Sequence, residues 1–276
     1  MSGIPADALA RRHDVALVDL DGVVYIGDHA VPGAVEALAR ARDVGQRHIF
    51  VTNNASRTPE EVAEHLTHLG VDAGPSDVLT SSQAGAALLA HRLPAGSPVL
   101  TVGGPGVGAA VRQVGLMPVS SIDAQGPPPV AVLQGFGRDV GWIHLMQAAL
   151  TIQAGALWVA TNLDRTLPVP GGRAPGNGML VAAVAEAVGR GPDLVAGKPE
   201  GALLAVAVER TGARSPLVVG DRLDTDIEAA HRAGLPSLLV LTGVTDLGAA
   251  RGAEAGQRAT YVSQDLSGLL QPGRTA

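Results

Sequence analysis

The stretch Val15-Ala16-Leu17-Val18-Asp19-Leu20-Asp21-Gly22-Val23 joins a short apolar run to two carboxylates that follow it directly. Four apolar residues in a row, ending at a polar turn, predict a strand buried on both faces, as in a parallel sheet. Such sheets bind ligands at the carboxyl ends of their strands, so we expect Asp19 and Asp21 at the ligand-binding edge. Taken alone, the Asp-x-Asp pair is equally compatible with an acidic loop after a buried strand.

Outside this stretch, apolar runs alternate with segments of helical period, which is typical of βαβ units. A helix is predicted over 33–44, and Thr58 followed by Pro59 and two glutamates predicts the start of another helix. Besides the strand at 15–18, strands are predicted at 48–51, 78–80, 194–196, 217–219 and 237–241. The predicted fold class is therefore α/β, with a doubly wound, Rossmann-like parallel sheet.

A second, smaller α/β domain is predicted as an insertion into this pattern. From Pro94 the chain becomes rich in Gly and Pro turns. Short apolar runs in this part predict three further strands, at 99–102, 130–133 and 157–160. We therefore predict a core domain of residues 1–93 and 193–276, and an inserted domain of residues 94–192. The tail after Gln264 is predicted to be loosely held.

Three later segments end predicted strands with groups that suit phosphate or magnesium chemistry. Thr52-Asn53-Asn54 offers a hydroxyl and successive backbone N–H groups, which suit phosphate oxygens. Gly197-Lys198-Pro199 holds the only lysine of the chain, and the segment from Asp221 to Asp226 holds three acids. Taken alone, Asn53-Asn54 is compatible with a turn, Lys198 with a surface cation, and the three acids with a charged helix start. Because all of them end predicted strands, we expect them to meet Asp19 at one edge of the sheet.

Together these segments resemble, in order and spacing, the four motifs of haloacid dehalogenase-like phosphatases. The inserted segment adds Ala160-Thr161-Asn162-Leu163-Asp164 and Pro175-Gly176-Asn177-Gly178, which resemble the NagD-like branch, subfamily IIA. Within that branch the chain is similar to actinobacterial glycerol 3-phosphate phosphatases. The resemblance covers almost the whole chain, and it implies a Rossmann-like core with an inserted α/β cap domain of the C2 type.

The resemblance implies a catalytic role for several of these side chains. Asp19 is expected to be the nucleophile that forms a phospho-aspartyl intermediate, which divides hydrolysis into two easier steps. Asp21 is expected to protonate the leaving alcohol and then to activate water. Thr52 and the Asn53 backbone are expected to hold the phosphate. Lys198 is expected to bind phosphate as well and to offset the repulsion between the anionic nucleophile and the anionic substrate.

Magnesium is the cofactor that the resemblance implies. Its expected ligands are the Asp19 carboxylate, the Asp21 carbonyl and the Asp221 carboxylate, which are the hard oxygen donors that this cation prefers. Asp226 is expected to orient metal-bound water from a position behind these ligands.

The expected substrate is a small phosphorylated metabolite, because a site covered by a cap domain does not easily admit a folded phosphoprotein. Polar residues that could select the leaving group are Asn54, Asn162, Asp164, Arg173 and Asn177, although all five are also compatible with turns. Glycerol 3-phosphate is the expected substrate. The alternatives are 2-phosphoglycolate and a broad range of sugar or nucleotide phosphates.

Composition limits the classes of partner. The 276 residues carry a formal net charge of -6 and only 2% aromatic residues, which disfavours a nucleic-acid partner. The chain has no apolar run of membrane-spanning length and no cysteine, so we expect a cytoplasmic protein without membrane contacts. The resemblance also suggests a homodimer formed through the cap.

Two other functional classes stay open at this stage. A phospho-accepting receiver domain also places acids, Thr and Lys at strand ends, although this chain is about twice as long as one such domain requires. A nucleotide-binding module is the second alternative, because the segment from Gly104 to Ala109 partly matches the glycine-rich dinucleotide fingerprint. Within the resembled family, a phosphotransferase differs from a phosphatase only in its product.

Overall fold

The computed structural model describes residues 3–122, 126–169 and 171–274. Its strands, in chain order, are β1 (Val15–Val18), β2 (Tyr25–Ile26), β3 (His29–Ala30), β4 (Arg47–Thr52), β5 (Val78–Thr80), β6 (Pro98–Val102), β7 (Met117–Val119), β8 (Ala131–Gln134), β9 (Leu157–Ala160), β10 (Thr166–Val169), β11 (Gly172–Pro175), β12 (Leu194–Val195), β13 (Pro216–Gly220), β14 (Ser237–Val240) and β15 (Tyr261–Ser263). Its α-helices are α1 (Leu9–Arg12), α2 (Ala34–Asp43), α3 (Pro59–His68), α4 (Ser81–Ala90), α5 (Pro105–Gln113), α6 (Trp142–Gln153), α7 (Asn177–Val188), α8 (Ala202–Thr211), α9 (Glu228–Arg232) and α10 (Leu247–Arg251).

The contacts within the chain divide it into two compact units. The core unit consists of residues 1–52, 60–79 and 198–276, and the inserted unit consists of residues 53–59 and 80–197. None of the helices in the described part of the chain has the length and the apolar character needed to span a membrane.

The core unit is built on a six-stranded sheet in the order β15-β14-β13-β1-β4-β5. β1 lies at its centre and pairs in parallel with β13 on one side and β4 on the other, with Val15 opposite Pro216 and Arg47. All four residues of β1 are buried, as expected for a central parallel strand. The apolar stripe of α2, Ala34, Leu38 and Ala41, is buried in the same core. The predicted α/β fold class is confirmed.

The inserted unit has its own five-stranded sheet in the order β12-β9-β8-β6-β7, with parallel pairs throughout. The three predicted strands correspond to β6, β8 and β9. A β10–β11 hairpin, with Thr166 opposite Pro175, precedes α7. A buried apolar cluster around Trp158 packs between this sheet and the helices α6 and α7.

Two sequence predictions on the fold were wrong. The strand at 194–196, predicted for the core sheet, is β12, and it pairs with β9 of the inserted unit. The tail is not loosely held, because Leu266, Leu269 and Leu270 are buried in the core cluster and form a 3-10 turn with their neighbours.

The boundaries of the two units also differ from the predicted 1–93, 94–192 and 193–276. Helix α4 groups with the inserted unit because it packs on α5 and β8. The segment 53–59, which directly follows β4, groups with the inserted unit as well.

Candidate active site

Four charged side chains meet at the carboxyl edge of the core sheet. Lys198 Nζ donates a hydrogen bond to Asp19 Oδ1, and it donates a second one to Asp226 Oδ1 at 2.6 Å. Carboxylate oxygens of Asp19, Asp221 and Asp226 all lie within 4.8 Å of one another. The structure therefore brings together the predicted groups from three separate stretches of sequence.

The backbone around Asp19 fixes its place directly after β1. The Asp19 N–H continues the sheet by donating to Val219 O at 2.8 Å. Gly22 then adopts φ +84°, and its N–H donates to Tyr25 O, which closes the turn that carries the exposed Asp21. A Cβ at Gly22 would lie only 2.7 Å from Asp221 Oδ2, so the turn also requires glycine for space.

Asp221 and Asp226 follow β13. A π-helical turn at Leu223–Ile227 connects them, and Asp226 Oδ2 accepts from the backbone N–H of Arg222 at 3.1 Å. A Cβ on Gly220 would lie 2.2 Å from the Cβ of Asp226, so only glycine allows this close packing. The third acid, Asp224, instead points to the surface, where it forms a bidentate ion pair with Arg222.

Sequence reasoning missed a loop that holds Asp221. After β14, the Val244 N–H donates to Asp221 Oδ2 at 2.7 Å, and Thr242 Oγ1 donates to Gly22 O at 2.6 Å. A Cβ on Gly243 would lie 2.0 Å from Asp221 Oδ2. The available signal was a Thr-Gly pair after a buried strand, at the same edge as the other motifs.

Burial and mutual charge determine the ionisation of the cluster. Burial raises the pKa of Asp19 well above its ordinary value, although Lys198 acts in the opposite direction. Burial and repulsion from Asp226 raise the pKa of Asp221 to about 6. Burial alone would lower the pKa of Lys198, but the Asp19 and Asp226 carboxylates raise it above its usual value, so the ammonium stays charged.

The acidic cluster fits a divalent cation. Asp221 Oδ1 is buried and has no hydrogen-bond partner among the described residues. An orphaned carboxylate oxygen next to two other carboxylates is costly unless a cation neutralises it. Three hard oxygen donors within this distance are the ligand type that Mg²⁺ prefers.

Lys198 and Thr52 lie at or just after the ends of strands from different sheets. Thr52 is the last residue of β4 and is buried. Lys198 was predicted at the end of a core strand, but it lies in the segment after β12 of the inserted unit's sheet. Its ammonium also donates to Val51 O at 3.5 Å. The next residue after Thr52, Asn53, belongs to the inserted unit.

Most of the predicted selector residues bond protein atoms within the inserted unit. Asn162 Nδ2 donates to Asn53 O at 2.7 Å, and Asn53 Nδ2 donates to Asp164 Oδ2 at 3.1 Å. Asn177 is buried and donates to Asn162 O at 2.8 Å. Asn54 Oδ1 accepts from both the N–H and the hydroxyl of Ser56.

Arg173, the fifth predicted selector, lies exposed on β11. The glycine-rich segment that partly matched a nucleotide fingerprint contacts backbone instead. Cβ atoms on Gly104 and Gly106 would lie 2.6 Å from Ser56 O and 2.3 Å from Arg57 O, so these glycines allow segment 53–59 to pack closely on the start of α5.

Comparison with known proteins gives the family. A model of haloacid dehalogenase-like hydrolases matches residues 16–117, and a second model of this kind matches residues 195–269. A D-glycerol 3-phosphate phosphatase of Mycobacterium tuberculosis is 50% identical over 97% of this chain and 74% of its own length. This chain belongs to the haloacid dehalogenase-like hydrolases. An acid sugar phosphatase of Staphylococcus aureus is 33% identical over 86% of this chain and 90% of its own length.

Solved structures agree with this assignment. The glycerol phosphate phosphatase of M. tuberculosis in complex with calcium has a TM-score of 0.91 and 50% identity, over 96% of this chain and 76% of that one. The same protein has also been solved in complex with magnesium. A 4-nitrophenylphosphatase of Thermotoga maritima has a TM-score of 0.86 and 29% identity, over 95% and 98% of the two chains. The predicted enzyme class of this hydrolase, a phosphoric monoester hydrolase, is confirmed by these relatives.

Proposed function

We propose that this chain is a magnesium-dependent phosphatase that hydrolyses small phosphate monoesters through a phospho-aspartyl intermediate on Asp19. The observation that carries the proposal is the cluster of Lys198 with Asp19, Asp221 and Asp226, in which a permanently charged ammonium touches the expected nucleophile. A cation next to an acid at the end of a central strand is better explained by a role in phosphoryl transfer than by a role in stabilising the fold.

In the first step, a carboxylate oxygen of Asp19 attacks phosphorus and the ester P–O bond breaks. The leaving oxygen takes a proton from Asp21, whose exposed position next to the turn leaves it accessible to the substrate. In the second step, Asp21 removes a proton from water, the water oxygen attacks phosphorus, and the acyl P–O bond breaks. Asp19 is regenerated and inorganic phosphate leaves.

Lys198 keeps its charge throughout because two carboxylates hold it. Its charge lowers the repulsion between Asp19 and the phosphate dianion. We propose that the Thr52 hydroxyl and the Asn53 N–H donate hydrogen bonds to the phosphate oxygens. Asp19, the Asp21 carbonyl and Asp221 would hold Mg²⁺, with Asp226 behind them. The cation supplies charge neutralisation for the phosphoryl oxygens.

Glycerol 3-phosphate is the proposed substrate. The proposal is supported by the 50% identity with a D-glycerol 3-phosphate phosphatase, and by the scarcity of aromatic residues that could stack on a nucleobase. The 33% identity with an acid sugar phosphatase favours sugar phosphates as the second candidate class, and 2-phosphoglycolate stays an alternative. Among the predicted selectors, Asn54 and Arg173 are the ones we propose for contact with the leaving group.

A phosphate-release screen over a broad set of metabolites with Mg²⁺, ranked by kcat/KM, tests the function. We expect glycerol 3-phosphate near the top of the ranking. A nucleotide or pyridoxal phosphate that exceeds it by about a hundredfold would contradict the substrate. Release from no ester, with a long-lived phospho-aspartate, would instead favour the receiver function. Transfer of the phosphoryl group to a second alcohol would indicate a phosphotransferase.

The inserted unit is proposed as the cap that selects the leaving group, and as the surface of a homodimer. Helix α6 exposes Trp142, at 74%, and the side chains of Ile143 and Leu150, which lie two turns apart on one helix face. Sedimentation should give the dimer mass for the wild type and the monomer mass for the double variant Ile143→Glu, Leu150→Glu. A wild type at monomer mass in micromolar solution would contradict the dimer. The cytoplasmic location stays a prediction.

A further inference from the structure

Asn53 is held in place by hydrogen bonds on both its backbone and its side chain. Its carbonyl accepts from Ser81 Oγ and from Asn162 Nδ2, each at 2.7 Å. Its side-chain Nδ2 donates to Asp164 Oδ2 at 3.1 Å. The residue that directly follows the last residue of β4 is therefore fixed by groups about a hundred positions away in the sequence.

The loop that supplies two of these groups is itself tightly packed. Asn162 Oδ1 accepts from the Asp164 N–H at 3.1 Å, and Asn177 Nδ2 donates to Asn162 O at 2.8 Å. Cβ atoms on Gly176 and Gly178 would lie 2.3 Å from Asp164 O and 2.2 Å from Leu163 O. The two short motifs of the inserted unit thus pack closely on each other, and Asn162 and Asn177 are buried.

These contacts separate three possible roles for Asn162 and Asp164. The bond from the Asp164 N–H to Asn162 Oδ1 is what an Asx turn requires. A turn does not require Asn162 Nδ2 and Asp164 Oδ2 to reach Asn53, so turn formation does not account for both side chains. Selection of the leaving alcohol does not require a bond to Asn53 either, whereas both of these side chains bond Asn53.

We propose that Asn162 and Asp164 are positioning residues, which hold Asn53 so that its backbone N–H is oriented to bind the phosphoryl group. This inference rests on the proposed function, because it assigns phosphate binding to Asn53. Preorganised donors contribute most when their own supports are locked by hydrogen bonds. Since every substrate carries the same phosphoryl group, loss of these hydrogen bonds to Asn53 should lower kcat/KM for all substrates by a similar factor. Loss of a selector would change their ranking.

The test compares Asn162→Ala and Asp164→Ala with the wild type on glycerol 3-phosphate, 2-phosphoglycolate and 4-nitrophenyl phosphate, each with Mg²⁺. We expect kcat/KM to fall about tenfold or more on all three substrates, with their order unchanged. Inhibition by inorganic phosphate, a readout independent of the leaving group, should weaken in parallel. Asp164→Asn keeps an acceptor oxygen for Asn53 Nδ2, and it should stay within about threefold of the wild type. Asp139→Ala, an exposed acid of the same unit, is the matched control.

Three results would overturn the positioning role. One is a selective loss on glycerol 3-phosphate alone, which would make these residues selectors. Another is unchanged phosphate inhibition in the Ala variants, and the third is an Asp164→Asn variant as impaired as Asp164→Ala while both show wild-type thermal unfolding. If an Ala variant does not fold, the kcat/KM values of Asp164→Asn and its inhibition by inorganic phosphate alone decide whether the positioning role holds. A wild type that releases phosphate from no ester contradicts the proposed function instead.

Discussion

The two ends of the core sheet bury polar side chains in opposite ways. At the carboxyl edge, Lys198 bonds Asp19 and Asp226, so charged groups compensate one another. At the amino edge, His48 in β4 is buried, and neither of its ring nitrogens has a hydrogen-bond partner among the described residues. Nearby, His13 Nδ1 lies 3.2 Å from the Ser215 carbonyl oxygen, and its Nε2 has no hydrogen-bond partner within the described part of the chain.

The two ends differ in whether their buried ionisable groups stay charged, and this difference separates effects on catalysis from effects on stability. The Lys198 ammonium at the carboxyl edge stays charged because it is paired with the Asp19 and Asp226 carboxylates, and phosphoryl transfer uses such a fixed positive charge. At the amino edge burial acts unopposed by hydrogen bonds, and it lowers the pKa of His48 to about 4, so the ring is neutral near pH 7. Substitutions at the carboxyl edge should therefore reduce catalysis, whereas substitutions at the amino edge should change stability and its pH dependence.

The largest expected effect is that of Asp19→Asn. The amide is nearly isosteric but a poor nucleophile, so turnover should fall by at least about a thousandfold while the thermal unfolding curve stays cooperative. Steady-state phosphate release measures it. Asp224→Asn, which changes an exposed acid in the turn after β13, is the matched control and should keep wild-type activity. More than about a thousandth of the wild-type rate in Asp19→Asn would contradict covalent catalysis.

Removal of the metal should have a comparable effect. Excess chelator should silence phosphate release, and added Mg²⁺ should restore it, because the three carboxylates need a cation to offset their repulsion. Asp221→Asn should raise the Mg²⁺ concentration needed for half-maximal activity. Full activity in excess chelator would refute the metal assignment.

Lys198→Ala should lower kcat/KM by roughly a hundredfold, by analogy with the loss of other preorganised charge stabilisers. The variant also leaves Asp19 and Asp226 without their cation, so its melting temperature should fall and activity should be measured well below it. Arg232→Ala removes an exposed cation of the core unit and serves as the control. A change under about threefold in Lys198→Ala would show that the only lysine is incidental.

The smallest expected effect lies at the amino edge. Because the folded pKa of His48 is about 4, below the ordinary 6.5, the unfolded chain binds more protons between these values. The contribution to stability is complete above pH 6.5 and is lost as the pH falls toward 4. It amounts to about 3 kcal/mol at most.

Urea unfolding at several pH values, for the wild type and His48→Leu, measures this contribution. His48→Leu removes the titrating ring, so its free energy of unfolding should fall less steeply below pH 6.5 than that of the wild type. The difference between the two curves cancels the titration of other groups, including His13. Parallel curves would show that burial of His48 does not depress its pKa.

The sequence was sufficient for the parts of the site that lie directly at strand ends. Asp19, Thr52 and Asp221 follow apolar runs that read as central strands, and parallel strands bring their carboxyl ends to one edge. The strand before Lys198 was assigned to the wrong sheet, because two or three apolar residues do not specify their pairing partner.

Contacts that form only after folding were not predictable in this way. The bonds of Asn162 and Asp164 to Asn53 join positions about a hundred residues apart, and no local pattern marks them. The hydrogen bond to Asp221 Oδ2 comes from the backbone N–H of Val244, and a motif of side chains does not encode a backbone donor. Segment 53–59 joins the inserted unit for the same kind of reason, since glycines at the start of α5 allow close packing of backbone.

The most direct test of the account is to trap the phosphoryl group on Asp19. The Asp21→Ala variant is mixed with 4-nitrophenyl phosphate and Mg²⁺, quenched in acid, digested and analysed by mass spectrometry. The nitrophenolate leaves without a proton, but hydrolysis lacks its base, so the acyl phosphate should accumulate. We predict that the peptide containing Asp19 gains one phosphoryl group, and that the added substitution Asp19→Asn abolishes the gain. A burst of nitrophenolate with no phosphoryl group on Asp19, or with the group on another side chain, would contradict the account.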